Sequence, residues 1–155
     1  MYSGSKGAAE LVIRSFVQSF FTGDCPVGIG VGRAGNVIGG GDWAQDRIVV
    51  DCMRAWSQGE VVEVRSPDAT RPWQHVLEPL SGYLALGEAL AREPRFHGEA
   101  YNFGPRAEQN RTVVELLSDL GQRWGFEGAE QAFRITDHVP FHEAGLLKLN
   151  CDKAL

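Results

Sequence analysis

The stretch VGIGVGRAGNVIGGGDW (residues 27–43) joins a short apolar run to a cluster of glycines. Val27 to Arg33 carries branched apolar residues at alternate positions, which predicts a buried strand with close backbone neighbours. Residues 34–45 predict a glycine-rich loop. We do not assign these glycines as a dinucleotide-binding turn, because we interpret their spacing as wrong for Gly-x-Gly-x-x-Gly and no obvious helix N-terminus follows the strand.

Outward from this stretch, helical and strand patterns alternate along the chain. Helices are predicted over residues 3–21, 47–57, 78–92 and 112–124, and strands over residues 61–65, 99–104 and 131–136. Thr112 should cap the last of these helices, with Glu115 at capping-box spacing. A short extended piece at residues 73–76 and a partly helical tail at residues 142–155 complete the prediction. This alternation predicts an α/β architecture with a mainly parallel sheet.

Composition excludes several classes of function for this chain of 155 residues. Its formal net charge is -5, from 15 basic and 20 acidic side chains, and no basic run is present, so we expect no nucleic-acid partner. No apolar run approaches the roughly 18 residues of a membrane span. Cys25, Cys52 and Cys151 are far apart, which favours reduced thiols in a cytoplasmic protein. No histidine has a partner at the spacing of metal ligands, so no metal site is assigned.

A candidate catalytic pair, Tyr2 and Lys6, lies at the amino-terminal edge. The spacing of four residues puts the two side chains one turn apart on the same helix face. A free tyrosine has a pKa near 10, but an ammonium group one turn away favours the phenolate and lowers that value. The phenol oxygen then becomes a plausible proton acceptor. A Tyr-x-x-x-Lys pattern also arises by chance, so the pair alone does not establish a site.

Longer motifs give the pair a context. The string YSGSKGAAE (residues 2–10) resembles the active-site helix of the extended short-chain dehydrogenase/reductase family, and VGRAGNVIGGGDW (residues 31–43) resembles that family's Arg-x-x-Asn-Val segment. The resemblance implies NAD as cofactor, with Tyr2 as catalytic base and Lys6 bound to the nicotinamide ribose. It also implies that Arg33 and Asn36 contact the cofactor.

Further segments narrow the resemblance within this family. They are GGGDWAQDRIVVDCMRAW (residues 39–56), RPWQHVLEPLSGYLALGEAL (71–90), YNFGP (101–105) and FHEAGLLKLNCDKA (141–154). Together they resemble the nucleotide-sugar 4,6-dehydratases that act on CDP-glucose. The resemblance implies that the substrate-binding residues are Asn36, Arg47, Ile48, Arg71 and Asn102. For Arg71, the forked donor set of a guanidinium suits a diphosphate.

The resemblance also implies a fold and a reaction. The chain should be the C-terminal half of a Rossmann-type enzyme, comprising the last strands of the parallel sheet and the small substrate-binding domain, without the dinucleotide-binding half. The implied reaction converts CDP-glucose to CDP-4-keto-6-deoxyglucose and water in deoxysugar synthesis for surface polysaccharides. We expect a homodimer for the full-length enzyme and no catalysis by this chain alone. Two alternatives stay open: another nucleotide-sugar epimerase or dehydratase of the family, and a non-catalytic remnant that binds a nucleotide sugar or a partner.

Overall fold

A computed structural model of the chain describes residues 2–136 and 149–154, with the side chains of Tyr2, Ser3 and Ala107 left aside. Five α-helices lie in the described part: α1 Tyr2–Phe20, α2 Ile48–Ser57, α3 Leu77–Arg92, α4 Val113–Trp124 and α5 Ala129–Ala132. The eight strands there are β1 Val31–Ala34, β2 Asn36–Ile38, β3 Val62–Val64, β4 Thr70–Arg71, β5 Trp73–His75, β6 Ala100–Phe103, β7 Arg111–Thr112 and β8 Phe133–Ile135. The predicted alternation of helices and strands is confirmed.

Within the described residues, the strands form four two-stranded pairs. Three pairs are parallel: β1 with β6, β2 with β5, and β3 with β8. The fourth, β4 with β7, is antiparallel and sets Thr70 opposite Thr112 and Arg71 opposite Arg111. Parallel partners require a crossover connection. The connection contains α2 for β2–β5, α2 and α3 for β1–β6, and α3, α4 and α5 for β3–β8.

The structure corrects the sequence prediction around the glycine cluster. Strand β1 begins only at Val31. Before it, Ile29 bonds to the segment that precedes β6: the Ile29 amide donates to His97 Nδ1 at 3.2 Å, and the Gly98 amide donates to the Ile29 carbonyl at 2.7 Å. Residues 36–38 were predicted as loop and form β2 instead, paired with β5. Of the predicted partly helical tail over residues 142–155, residues 142–148 and 155 lie outside the described residues, and Asp152–Ala154 form a 3-10 helix.

One helix packs unusually closely on a strand pair. A Cβ on Gly32 of β1 would lie 2.6 Å from the Tyr83 ring of α3, and a Cβ on Gly82 would lie 2.3 Å from the Phe103 ring of β6. The Tyr83 and Phe103 rings meet edge to face at 5.4 Å. These two glycines therefore set the distance between α3 and the β1–β6 pair.

The largest group of buried residues lies around β3 and β8. It consists of Cys52, Trp56, Val62, Val64, Leu117, Ala132 and Phe133. The Trp56 indole donates from Nε1 to the Ala132 carbonyl at 2.8 Å, so the one polar atom of that side chain is satisfied inside the core. Thr112 and Glu115 form the predicted capping box at the start of α4, which confirms that expectation. This core holds α2, β3 and α4 in place beside the cleft described next.

Candidate functional site

A cleft of about 1020 Å³ opens between β2, β4, the first turn of α2 and β3. Four residues that were predicted to bind substrate line it: Asn36, Arg47, Ile48 and Arg71. They belong to three different elements and to the segment before α2, so only the tertiary fold brings them together. The volume is in the range of small-molecule sites. This convergence makes the cleft the candidate binding site, while the roles of its residues stay predictions.

Arg47 and Ile48 stand where α2 begins. Arg47 is the residue that precedes the helix, in extended conformation, and its Nε lies 3.9 Å from the Asp42 carboxylate. Asp46 adopts a φ of 60°, a left-handed conformation that is uncommon outside glycine. Such strained residues cluster at ligand-binding sites, where the surrounding structure maintains them.

Arg71 is half-buried at the other wall of the cleft. Its Nη1 donates to the Thr70 carbonyl at 2.9 Å, and the next residue, Pro72, is fully buried and anchors the strand. Beyond Pro72, Trp73 also lines the cleft, and its buried Nε1 has no hydrogen-bond partner among the described residues. The sequence analysis assigned no role to Trp73.

Arg33 and Asn102 form a separate network and are not among the residues that line the cleft. The Glu10 carboxylate accepts from Nε and Nη2 of Arg33, each at 2.6 Å. Asn102 accepts from Arg33 Nη1 at 3.3 Å and donates to the Asn150 carbonyl at 2.8 Å. Hydrogen bonding to Arg33 lowers the pKa of Glu10. The Arg33 guanidinium is therefore bound by the Glu10 carboxylate of α1. A direct contact of Arg33 with a cofactor stays a prediction.

Tyr2 and Lys6 both lie on α1, four residues apart and hence one turn apart, as predicted. The Tyr2 side chain lies outside the described part of the chain. Lys6 is exposed. The proposed acid–base pairing of these residues stays a prediction.

Charged residues that the sequence interpretation missed also line the cleft. Asp51 lies in the first turn of α2, and Arg65 directly follows β3. No local signal identified either residue. Arg65 is the last residue of the predicted strand over residues 61–65, but which strand ends meet at a ligand site depends on how the strands assemble.

Gly30, Gly32 and Gly35 show the Gly-x-Gly-x-x-Gly spacing of a dinucleotide-binding turn, so the expectation that their spacing is wrong is incorrect. In the described part of the chain, however, β1 leads into β2 and not into a helix. A dinucleotide-binding turn needs a helix that begins at this point, so this context does not support such a site. Across the described residues, no histidine, cysteine, aspartate and glutamate side chains gather in a group of three that could hold a metal ion.

No family model matches the chain. It is, however, 45% identical to the CDP-glucose 4,6-dehydratase of Salmonella typhimurium over 157 residues, which cover 99% of this chain. The chain is similar to a CDP-glucose 4,6-dehydratase. The resemblance predicted from the sequence motifs is thereby confirmed. The alignment covers 43% of that enzyme, so the chain spans less than half the length of this relative.

Solved structures show the same fold. The UDP-glucuronic acid 4-epimerase of Bacillus cereus matches 99% of this chain and 44% of its own chain, with a TM-score of 0.77 and 18% identity. The dTDP-glucose 4,6-dehydratase of Streptomyces venezuelae matches 98% of this chain and 42% of its own, with a TM-score of 0.75 and 20% identity. These likenesses concern the fold alone, and they confirm the predicted α/β fold. No described helix is both long and apolar enough to cross a membrane.

Proposed function

We propose that this chain supplies the nucleotide-sugar site of a CDP-glucose 4,6-dehydratase, an NAD-dependent lyase. The single observation that carries the proposal is the convergence of Asn36, Arg47, Ile48 and Arg71 on one cleft. The similarity to the Salmonella enzyme supports the reaction and the CDP-glucose substrate. From the family resemblance, we place the enzyme in the cytoplasm and its product in deoxysugar synthesis for surface polysaccharides.

In this proposal the chain's own residues bind and orient the sugar nucleotide. The Arg71 guanidinium donates to diphosphate oxygens, and the Asn36 amide donates beside it. Arg47 adds positive charge at the opposite wall of the cleft. Tyr2 removes the proton from the sugar hydroxyl, and the Lys6 ammonium one turn away favours the phenolate form.

The residues present fit only one end of NAD. The amino-terminal turn of α1 offers Tyr2 and Lys6 for the nicotinamide ribose, whereas Arg33 is held by Glu10. No glycine-rich strand–helix turn for the pyrophosphate occurs among the described residues. When bound, NAD would take a hydride from the sugar and later return it. A chain that offers only the nicotinamide end should bind the sugar nucleotide without catalysing the reaction.

This expectation is tested with the purified 155-residue chain. Isothermal titration calorimetry should detect binding of CDP and CDP-glucose. CMP lacks the second phosphate and the charge-assisted hydrogen bonds to it, so CMP should bind at least about tenfold more weakly. With NAD and CDP-glucose added, no keto sugar should form. Absence of CDP binding would refute the proposed site, and turnover would refute the expected inactivity of the chain.

The open alternatives within the family differ in nucleotide and in chemistry. A UDP-sugar epimerase would prefer UDP over CDP in the same titration. A non-catalytic remnant that binds a partner would show no nucleotide binding at all. Titration of CDP, UDP and dTDP in parallel therefore separates the three hypotheses.

We also propose that the full-length enzyme is a homodimer, supported by an apolar stripe along α1. The stripe consists of Leu11, Val12, Phe16 and Phe20, of which Leu11 and Phe20 are 71% and 68% exposed. Exposed apolar stripes of this kind favour burial against a second molecule. In analytical ultracentrifugation the chain should associate at raised concentration, and Phe16→Ser should reduce that association. Gln18→Ser, an exposed polar change on the same helix, is the control; a monomer at every concentration would contradict the proposal.

A further inference from the structure

Two charged side chains in the cleft, Asp51 and Arg65, have no assigned role. Asp51 is half-buried in the first turn of α2. Arg65 follows β3, and Val61, directly before β3, is 40% exposed and also lines the cleft. The partly buried Val113 at the start of α4 lines the cleft as well. Val61 and Val113 form an apolar wall of the cleft, whereas Val62 and Val64 belong to the buried core.

The Asp51 carboxylate and the Arg65 guanidinium take part in no hydrogen bond and no ion pair in the described part of the chain. Asp51 lies in the first turn of α2, where its charge also suits the positive end of the helix dipole. Burial raises the pKa of Asp51, as does the nearby Asp46, while Arg54 and Arg65 act in the opposite direction. Both side chains line the cleft and are therefore able to hydrogen-bond a ligand there.

The neighbouring charges are already engaged. Arg54 donates from Nη2 to the Trp43 carbonyl at 2.5 Å, and Glu63 accepts from Arg134 Nη2 at 2.5 Å across the β3–β8 pair. Arg47 lies beside Asp42. Asp51 and Arg65 are left as an acceptor and a forked donor that flank an apolar wall, which is the composition expected for a site that binds the edge and faces of a flat polar ring.

Cytosine matches this arrangement better than uracil or thymine. Its edge presents an amino donor at N4 and two adjacent acceptors, N3 and O2, whereas uracil and thymine present an acceptor at O4 and a donor at N3. A guanidinium fork can donate to N3 and O2 together, and a carboxylate can accept from N4. The same carboxylate would face O4 of uracil without a proton between them.

We propose that Arg65 and Asp51 read the base of the bound nucleotide and select cytosine over uracil and thymine. Arg65 donates to N3 and O2, Asp51 accepts from the N4 amino group, and Val61 and Val113 contact the ring. This inference rests on the proposed function, because it needs a nucleotide whose diphosphate lies toward Asn36 and Arg71. It adds what that function left open, namely how this chain distinguishes CDP from UDP.

The test measures dissociation constants of CDP and UDP by calorimetry for the 155-residue chain and two variants. The parent chain should prefer CDP by about tenfold or more, the size typical of one good bidentate base contact. Arg65→Met should weaken the binding of CDP about tenfold and change the binding of UDP little, because only cytosine offers both N3 and O2 as acceptors. Asp51→Asn should reduce the preference for CDP over UDP by strengthening the binding of UDP. An amide can donate a hydrogen bond to O4 of uracil, whereas a carboxylate repels that oxygen.

Arg123→Met and Asp119→Asn are matched controls, since both residues are exposed on α4 and do not line the cleft; they should leave the ratio of CDP to UDP affinity unchanged. Circular dichroism checks folding, and Arg65→Lys replaces a misfolded Arg65→Met, because lysine keeps the charge and loses the fork. Equal changes in CDP and UDP affinity for the cleft variants would overturn base reading while leaving nucleotide binding intact. If the parent chain binds neither nucleotide, the proposed function fails as well.

Discussion

Replacing Arg71 with methionine should weaken binding of CDP to this chain by about 100-fold, the upper end of what a charge-assisted hydrogen-bonding pair contributes. Arg71 is the half-buried cation of the cleft, on a strand fixed by the fully buried Pro72. A buried guanidinium is less well hydrated than an exposed one, so its interaction with phosphate oxygens is stronger. The affinity of Arg71→Lys for CDP should lie between those of the parent chain and Arg71→Met, because lysine retains the charge and loses the bidentate geometry.

The measurement is a titration of CDP into each variant, monitored by calorimetry. Arg111→Met is the matched control, because Arg111 lies opposite Arg71 in the β4–β7 pair, is exposed and does not line the cleft. Its side chain lies 3.8 Å from Glu115, a surface ion pair that contributes little. If the Arg71→Met chain is folded and binds CDP as tightly as the parent chain, Arg71 does not contribute to CDP binding.

Replacing Gly82 with alanine should lower the free energy of unfolding by about 2 kcal/mol, because the added methyl group overpacks a tight contact. Its Cβ would lie 2.3 Å from Cδ1 of the Phe103 ring. That ring cannot easily move, since it packs edge to face on Tyr83 and belongs to β6, which pairs with β1. The helix propensity gained by alanine, about 1 kcal/mol, is smaller than the cost of the clash.

Gly87 provides the matched control on the same helix. A Cβ on Gly87 would have nothing within 4 Å, so Gly87→Ala should raise the free energy of unfolding by about 0.5–1 kcal/mol through helix propensity alone. Urea unfolding monitored by circular dichroism measures both. If the two substitutions changed the unfolding free energy in the same direction, α3 would not pack on β6 as closely as described.

The helices were predicted well because their signals are local. The predicted helix over residues 78–92 is α3, Leu77–Arg92, and the capping box of Thr112 and Glu115 starts α4 where expected. Periodicity and caps act within a few residues, so the sequence carries them directly. Strand β2 was missed because Asn36–Ile38 becomes a strand only through its pairing with β5. Pairing partners distant in sequence leave no local pattern.

For the site, motif resemblance selected Asn36, Arg47, Ile48 and Arg71, all of which meet in the cleft. It also selected Arg33 and Asn102, which do not line the cleft; Arg33 instead donates to Glu10 and to Asn102. It did not select Asp51 or Arg65, since neither carries a local signal of function. A side chain's surroundings depend on which elements pack together, and that information is spread over the whole chain.

By itself, the sequence determined the class of fold, the helix boundaries and the resemblance to nucleotide-sugar dehydratases, because helical periodicity, caps and motifs are properties of contiguous residues. The tertiary structure alone decided which charges are already paired and which face the cleft. Arg33 and Arg65 are both arginines at the end of a predicted strand, yet α1 brings a carboxylate to the first, whereas the second is left unpaired among the described residues. The physical reason is that ion pairs and clefts form between distant segments, and only packing brings those segments together.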